Sequence, residues 1–219
     1  MFKEPYFTKR TIAAQSKKIF DAAVINIPHR PPYLEKENTA LVIIDMQKYF
    51  CSSASHAFLP ASEAIIEPIK RLESRCVSLN IPVFFTRHIN TKTNAGMLGT
   101  WWSDVITADN PLSVLSSEFK PEKDRIIQKT QYDAFYETDF EEKLKNQGIT
   151  TIVFAGVMTN LCCETTVRSA FVRGFKPFLP VDLTATGTEL FHKSTIINLA
   201  YGFAAPSLSA QIIDCLEKC

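Results

Sequence analysis

The sequence predicts a doubly wound α/β fold, in which a mostly parallel sheet is covered by helices on both faces. Two observations predict it: short apolar runs recur from residue 39 onward, and segments with helical periodicity separate them. Near-continuous apolar runs are typical of parallel strands that are buried on both faces. Alternation of strands and helices then favours right-handed crossovers between neighbouring strands.

Five apolar runs are predicted as strands and four intervening segments as helices. The strands cover residues 40–44, 82–86, 125–128, 151–155 and 177–181, and the helices cover 61–79, 140–147, 162–173 and 190–201. Gly148 and Gly174 follow two of these helices, at the position where a C-cap favours glycine. The pattern leaves residues 206–213 open between a final strand and a short helix.

Residues 1–38 show no such alternation and are predicted as an irregular N-terminal arm, followed by one domain over residues 39–219. The arm either wraps the domain or a neighbouring subunit, or is a partly ordered tail. The chain has 219 residues, 46% hydrophobic and 21% charged. These proportions are typical of a globular domain that needs neither disulfides nor a metal to fold.

Charge and apolar content exclude several classes of protein. The chain has 24 Lys and Arg against 23 Asp and Glu, so no general nucleic-acid-binding surface is expected. No apolar run approaches the roughly 20 residues that cross a bilayer, and the amino end has no secretory apolar region. The six cysteines form no C-x-x-C pair. We therefore expect a cytoplasmic protein with free thiols, without a nucleic-acid or membrane partner.

Three residues with reactive side chains follow predicted strands, and they are the candidates for chemistry. Asp45 follows the first strand, Lys129 the third, and Cys162 lies just after the fourth. Parallel α/β sheets bind ligands beyond the carboxyl ends of their strands, so these side chains should converge. A cysteine in the first turn of a helix, beside a lysine, should have a lowered pKa. The residues alone do not decide between Cys162 and Cys163 as the nucleophile.

The same residues lie in three motifs that resemble those of the isochorismatase-like cysteine hydrolase superfamily, over residues 38–213. Residues 40–47, ALVIIDMQ, resemble the opening strand and catalytic Asp of the family. Residues 129–135, KTQYDAF, resemble its K-x-x-Y-S-A-F segment, and residues 156–162, GVMTNLC, resemble G-V-x-T-[ND]-x-C. The resemblance implies the doubly wound hydrolase fold and a catalytic triad of Asp45, Lys129 and Cys162.

The resemblance also implies an oxyanion hole, and a departure from the pattern of some members leads us to expect no metal. It implies a cis peptide between Val157 and Met158, with the N–H groups of Met158 and Cys162 facing the substrate oxygen. Nicotinamidase members of the family bind a metal through D-x-H and a further His after the second strand. Here that region reads TRHIN over residues 86–90, with His88 as its only histidine, so neither a metal nor another cofactor is expected.

Four residues are predicted to bind the substrate. Arg87 ends the second strand and would pair with a substrate carboxylate, while Trp101 and Trp102 lie in a G-x-x-W loop like that of the family and would wall an apolar pocket. Tyr132 belongs to the second motif. The long connection over residues 88–123 is predicted to be a lid or pocket wall. Asp133 replaces the usual serine of the motif and would alter the local charge or the shape of the pocket.

Cys162 makes the chain resemble the amidase members of the family, which implies an amidohydrolase that cleaves the C–N bond of a small amide, carbamoyl or ureido compound through a thioester. The alternative is isochorismatase-type hydrolysis of a vinyl ether, with Asp45 as proton donor and release of pyruvate. A lesser alternative is a non-catalytic binding module, in which Cys162 would lack the reactivity of an activated thiol. Family members commonly form homodimers or homotetramers, so the resemblance implies a homo-oligomer.

Overall fold

The fold was obtained as a computed structural model, which describes residues 2–25, 27, 34–102 and 104–218. Its centre is a parallel sheet in the order β3-β2-β1-β4-β5-β7, with the short strand β6 paired to β4. The strands are β1 (Thr39–Ile44), β2 (Val83–His88), β3 (Ile126–Lys129), β4 (Thr151–Val157), β5 (Lys176–Pro180), β6 (Thr184–Ala185) and β7 (Ala205–Ser207). The doubly wound parallel sheet predicted from the sequence is confirmed.

The helices of the described residues connect and cover these strands. They are α1 (Ile12–Val24), α2 (Lys48–Cys51), α3 (Ser62–Ser78), α4 (Leu98–Trp101), α5 (Phe140–Asn146), α6 (Glu164–Val172), α7 (Glu189–Gly202) and α8 (Ser209–Lys218). A π-helical turn, Thr159–Cys163, precedes α6. Residues 206–213 are divided between the end of β7 and the start of α8, because Leu208 separates a strand from a helix there.

The two central strands fix the position of the site. Every residue of β1 and β4 is buried, as expected for strands with helices on both faces. Ile44 pairs with Gly156 at the carboxyl ends of these strands. Gly156 has φ +110°, and a Cβ atom there would lie 2.0 Å from the Ile44 carbonyl oxygen. Only glycine therefore allows β4 to approach β1 this closely, directly before Asp45.

The N-terminal segment differs from the irregular arm that we expected. Ile12–Val24 is a helix that packs against α7, and its buried residues, Ile12, Ser16, Ile19 and Ala23, lie on one helical face. Ahead of this helix, the Tyr6 hydroxyl accepts a hydrogen bond from the N–H of Thr186 (2.9 Å). Residues 28–33 of the expected arm lie outside the described residues.

None of the helices in the described part of the chain combines the length and apolar character needed to span a membrane.

The domain boundary at residue 38 and the assembly of the chain into a homo-oligomer stay predictions.

Candidate active site

Four side chains meet at the carboxyl edge of the sheet. Asp45 follows β1, His88 and Lys129 end the paired strands β2 and β3 in register, and Cys162 lies in the π-helical turn after β4. All four are buried. The convergence of Asp45, Lys129 and Cys162 that the strand ends predicted is therefore present in the structure.

The ammonium group of Lys129 lies at the centre of this cluster. Its Nζ is 2.8 Å from Asp45 Oδ2, 3.4 Å from Cys162 Sγ and 3.2 Å from His88 Nδ1. It also donates to the carbonyl oxygen of Gln131 at 3.0 Å. One buried cation thus contacts both the carboxylate and the sulphur of the candidate triad.

Asp45 is held by the neighbouring strand as well as by Lys129. Its backbone has φ 48°, which turns the chain sharply away from β1. Its N–H donates to the Thr86 hydroxyl (3.0 Å), and that hydroxyl donates to Asp45 Oδ1 (2.6 Å). Thr86 belongs to β2, so the adjacent strand fixes the orientation of the carboxylate.

Burial and charge act in opposite directions on the pKa values of the ion pair. Burial of Asp45 would raise its pKa, but the charge and hydrogen bond of Lys129 outweigh burial and leave it below the usual value. Burial of Lys129 would likewise lower its pKa, yet Asp45 and Cys162 raise it above the usual value. The pair is therefore a carboxylate and an ammonium at neutral pH.

The pKa of Cys162 corrects the expectation of a lowered value. Burial, with a smaller contribution from the carboxylate of Asp45, raises the pKa of this thiol to about 12 against the opposing effect of Lys129. The sequence shows the lysine and the helix, whereas the complete burial of the sulphur becomes evident only in the fold. Cys162 is therefore a thiol at rest, and it needs a base to become a nucleophile.

Cys163 is a competing thiol in the sequence but not in the structure. It is completely buried in the hydrophobic core, and burial raises its pKa well above the usual value. Neither cysteine is among the residues that line the cavity described below, and what distinguishes Cys162 is the contact of its Sγ with Lys129 Nζ. The surroundings of Cys163 are those of a packed core residue.

A metal ion does not fit among these residues while Lys129 is in place. Asp45, His88 and Cys162 each offer a donor atom, and the three atoms lie within 4.8 Å of one another. The Lys129 ammonium already contacts each of these donors and supplies the positive charge that a metal would bring. The expectation that no metal binds here stays a prediction.

A cavity of about 400 Å³ opens beside the turn that carries Cys162. Most of its lining residues are apolar, and they come from α4 and the residue on either side of it, from the segment after β3, from the turn after β4 and from around the start of α7: Met97, Leu98, Trp101, Trp102, Tyr132, Met158, Asn160, Leu161, Gly187 and Phe191. Trp102 Nε1 donates to the hydroxyl of Tyr132 at 2.7 Å, which fixes both rings. Three of the four predicted substrate-binding residues therefore line one cavity.

Arg87 is the fourth, and the structure does not place it there. Its guanidinium donates from Nε to the Ser113 carbonyl oxygen (3.0 Å) and from a terminal nitrogen to the Ser113 hydroxyl (2.9 Å). It is not among the cavity-lining residues. The guanidinium thus contacts the connection that follows α4, and its expected pairing with a substrate carboxylate stays a prediction.

Asp133 also has a structural partner. Its Oδ1 accepts from the N–H of Phe135 (2.8 Å), and its Oδ2 accepts from the Ser169 hydroxyl on α6 (2.6 Å). The carboxylate thus holds the turn after Lys129 against α6, and it does not line the cavity.

The peptide between Val157 and Met158 is cis, as the family resemblance implied.

A family model for the isochorismatase domain matches residues 39–211 of this chain. The chain belongs to the isochorismatase family. It is 39% identical to Nicotinamidase 3 of Arabidopsis thaliana over 80% of this chain and 84% of that protein. It is 30% identical to Enterobactin synthase component B of Escherichia coli, over 69% of this chain but only 54% of that longer protein.

Solved structures share the fold of this isochorismatase-family chain. A cysteine hydrolase from Pseudomonas syringae superposes with a TM-score of 0.82 at 23% identity, covering 87% of this chain and 98% of that one. N-carbamoylsarcosine amidase from Thermoplasma acidophilum superposes with a TM-score of 0.69 at 21% identity, covering 78% and 96%. At these identities the likeness shows the fold alone.

Sequence reasoning missed one residue of the isochorismatase-family site and left the role of another open. Thr86, which was not singled out, is hydrogen bonded to Asp45. His88, which was expected to be a pocket or structural residue, contacts Lys129. Thr86 ends the second predicted strand and His88 follows it by two residues, so the positions of strand ends were the signal that could have found both.

Proposed function

We propose that this isochorismatase-family hydrolase cleaves the C–N bond of a small amide, carbamoyl or ureido compound through a thioester on Cys162, without a metal. The observation that carries the proposal is the position of Lys129 Nζ, which contacts both Asp45 Oδ2 and Cys162 Sγ. A buried carboxylate, a cation and a thiol within contact of one another are the groups that acyl transfer to sulphur requires.

The proposed reaction uses Asp45 as a base and then as an acid. Because Cys162 is a thiol at rest, Asp45 takes its proton as the sulphur attacks the substrate carbonyl and the S–C bond forms. Asp45 returns this proton to the leaving nitrogen as the C–N bond breaks, which releases ammonia or an amine. Water then attacks the thioester, with Asp45 accepting a proton from water and returning it to sulphur.

Lys129 and two backbone N–H groups stabilise charge in this scheme. The ammonium of Lys129 lies beside the sulphur, where it stabilises the developing thiolate and keeps Asp45 ionised. The N–H groups of Met158 and Cys162 are proposed to donate to the oxyanion of the tetrahedral intermediates. Met158 lines the cavity next to the nucleophile-bearing turn, which supports this assignment.

Within this class, we propose that the substrate is a neutral aromatic primary amide. The cavity is walled by Trp102, Tyr132 and Phe191, and none of its lining residues carries a charge. Arg87, the expected partner for a carboxylate, is bound to Ser113. A carbamoyl or ureido acid would therefore bring an unpaired carboxylate into an apolar cavity, which is costly. The relationship to the Arabidopsis nicotinamidase makes nicotinamide the first amide to test.

The test is ammonia release from nicotinamide, benzamide, a carbamoyl acid and a ureido acid, with the Cys162→Ala protein run beside the wild type. Release from the aromatic amides that vanishes in the variant supports the proposal. Ammonia release from the carbamoyl acid and the ureido acid alone would support the amidohydrolase chemistry but would reject a neutral aromatic amide as the substrate. Turnover that persists in Cys162→Ala would reject the thioester.

Vinyl-ether hydrolysis of isochorismate is the second candidate. The 24% identity to the Isochorismatase of Bacillus subtilis, over 84% of this chain and 60% of that protein, favours testing it. This reaction needs a proton donor, whereas Lys129 holds the pKa of Asp45 below its usual value and keeps it deprotonated. Pyruvate release that survives Cys162→Ala would select this candidate over the amidase.

A further inference from the structure

His88 is a buried polar side chain in the site to which the proposed reaction gives no part. It is 7% exposed, and its Nδ1 lies 3.2 Å from Lys129 Nζ. An ammonium group can only donate hydrogen bonds, so Nδ1 must be the unprotonated, accepting nitrogen of the ring. His88 is therefore an acceptor for the cation that joins Asp45 to Cys162.

Asn90 fixes this tautomer from the other side of the ring. With Nδ1 unprotonated, Nε2 carries the ring hydrogen and donates to Asn90 Oδ1 at 2.7 Å. Asn90 is oriented in turn because its amide nitrogen donates to the Thr130 carbonyl oxygen at 2.9 Å, in the residue directly after Lys129. The chain of hydrogen bonds that starts at Lys129 and runs through His88 and Asn90 thus ends at Thr130, the next residue in the sequence.

The surroundings of His88 keep the ring neutral. The charged groups that face it are Lys129 and Asp45, and Cys162 is the other titratable group around the ammonium. Burial, followed by the positive charge of Lys129, lowers the pKa of His88 to about 4, against the opposing effects of Asp45 and of hydrogen bonds to Asn90 and to the backbone of Gln131. A neutral imidazole accepts from an ammonium, whereas an imidazolium would repel it.

The ammonium of Lys129 has three hydrogens and four neighbours that accept them: Asp45 Oδ2, the Gln131 carbonyl oxygen, His88 Nδ1 and Cys162 Sγ. Loss of one acceptor would let the ammonium move toward the remaining oxygens, which are stronger acceptors than a thiol sulphur. We propose that His88 is a positioning residue, which holds the Lys129 ammonium between Asp45 and Cys162 through its Nδ1. This inference rests on the proposed function, because it assigns a part in the same reaction.

A matched pair of variants tests whether the Lys129 ammonium needs an acceptor at the Nδ1 position of His88. His88→Leu removes it, and His88→Asn restores a carbonyl oxygen close to the Nδ1 position. We expect kcat for the best amide to fall about 10- to 100-fold in His88→Leu with KM nearly unchanged, and less than about fivefold in His88→Asn. Equal losses in the two variants, or a change confined to KM, would overturn the proposal.

A second variant tests the tautomer and does not depend on the folding of His88→Leu. Asn90→Asp has nearly the same shape, and its carboxylate would raise the pKa of His88 by about one to three units. Since the resulting imidazolium cannot accept from Lys129, the acid limb of kcat/KM should move upward by at least about one pH unit. Asn90→Ala is the control, and identical acid limbs in the two variants would count against the proposal.

Alkylation of Cys162 separates this inference from the proposed function, because it needs no substrate. With the ammonium displaced from the sulphur, iodoacetamide should react with Cys162 about tenfold more slowly in His88→Leu than in His88→Asn at pH 9. If the wild type hydrolyses no amide, the proposed function fails while this comparison still tests His88. Equal alkylation rates would overturn the positioning role.

Discussion

The Nζ atom of Lys129 lies 2.8 Å from Oδ2 of Asp45, and both side chains are completely buried. Each charge is stable in the core only because the other is present. The lowered pKa of Asp45 contributes stability above its unfolded-state pKa, and this is lost as the pH falls through the folded-state value. The raised pKa of Lys129 contributes stability below its unfolded-state pKa, and this is lost as the pH rises through its folded-state value.

Removal of the cation alone should therefore destabilise the protein strongly. Lys129→Met leaves a buried carboxylate without a partner, and we expect the free energy of unfolding at pH 7 to fall by about 3–5 kcal/mol. Asp45→Asn combined with Lys129→Met should recover most of this loss, because no charge is left uncompensated. Urea denaturation of the single and double variants measures both values, and a double variant no more stable than Lys129→Met would contradict the argument.

Cys162 and Cys163 should differ sharply although they are adjacent. Cys162→Ala should lower kcat/KM by at least about 10³-fold, since the variant cannot form the thioester. Cys163→Ala removes a core sulphur, so it should cost about 1 kcal/mol of stability and leave kcat/KM within about twofold. Thermal unfolding of both proteins provides the control, and comparable losses of activity in two folded variants would refute the assignment.

The alkylation profile of Cys162 should reflect its resting thiol. Burial raises the pKa of this group to about 12, so its rate of reaction with iodoacetamide in the free protein should keep rising through pH 9 and 10. Peptide mass spectrometry after timed alkylation measures the rate at each pH. A plateau that begins near pH 7 would instead indicate a preformed thiolate and would remove the need for Asp45 as a base in the first step.

The hydrogen bond between Trp102 and Tyr132 should hold the cavity wall in place. Trp102→Phe removes the donor, and Tyr132→Phe leaves the Trp102 N–H without its 2.7 Å partner. We expect each change to raise KM for the aromatic amide about three- to tenfold with a smaller effect on kcat. A double-mutant cycle is the measurement, and strictly additive effects of the two substitutions would show that the bond is not coupled to substrate binding.

The strands and helices whose apolar residues recur at a regular spacing were predictable from the sequence. Strands β1 and β4 are apolar after their first residues, Thr39 and Thr151, so they were predicted within two residues of their ends. Helix α1 was missed because its buried face contains Ser16 and Ala23 beside only two large apolar residues, Ile12 and Ile19. The helical spacing of the segment is nonetheless clear, and its burial depends on α7, which lies far along the chain.

The candidate triad was predictable because strand ends of a parallel sheet converge, and three motifs identified which residues lie there. The direction of the pKa change at Cys162 was not predictable. Neighbouring charge can be inferred from spacing along the chain, but desolvation depends on the packing of residues distant in sequence. The contact of Arg87 with Ser113 was not predictable for a similar reason, since Ser113 lies in a connection without regularly spaced apolar residues.

The segment ahead of α1 has a practical consequence for how this protein is handled. The N–H of Glu4 donates to the Gly187 carbonyl oxygen at 2.9 Å, and Gly187 lines the cavity. An affinity tag fused before Phe2 would therefore begin close to a residue of the cavity wall. Lys218 ends α8, which packs against α3, and neither helix has a residue in the cavity wall. A tag at the carboxyl end would therefore begin on a helix apart from the cavity wall, which is the better choice for assays and for soaking ligands into crystals.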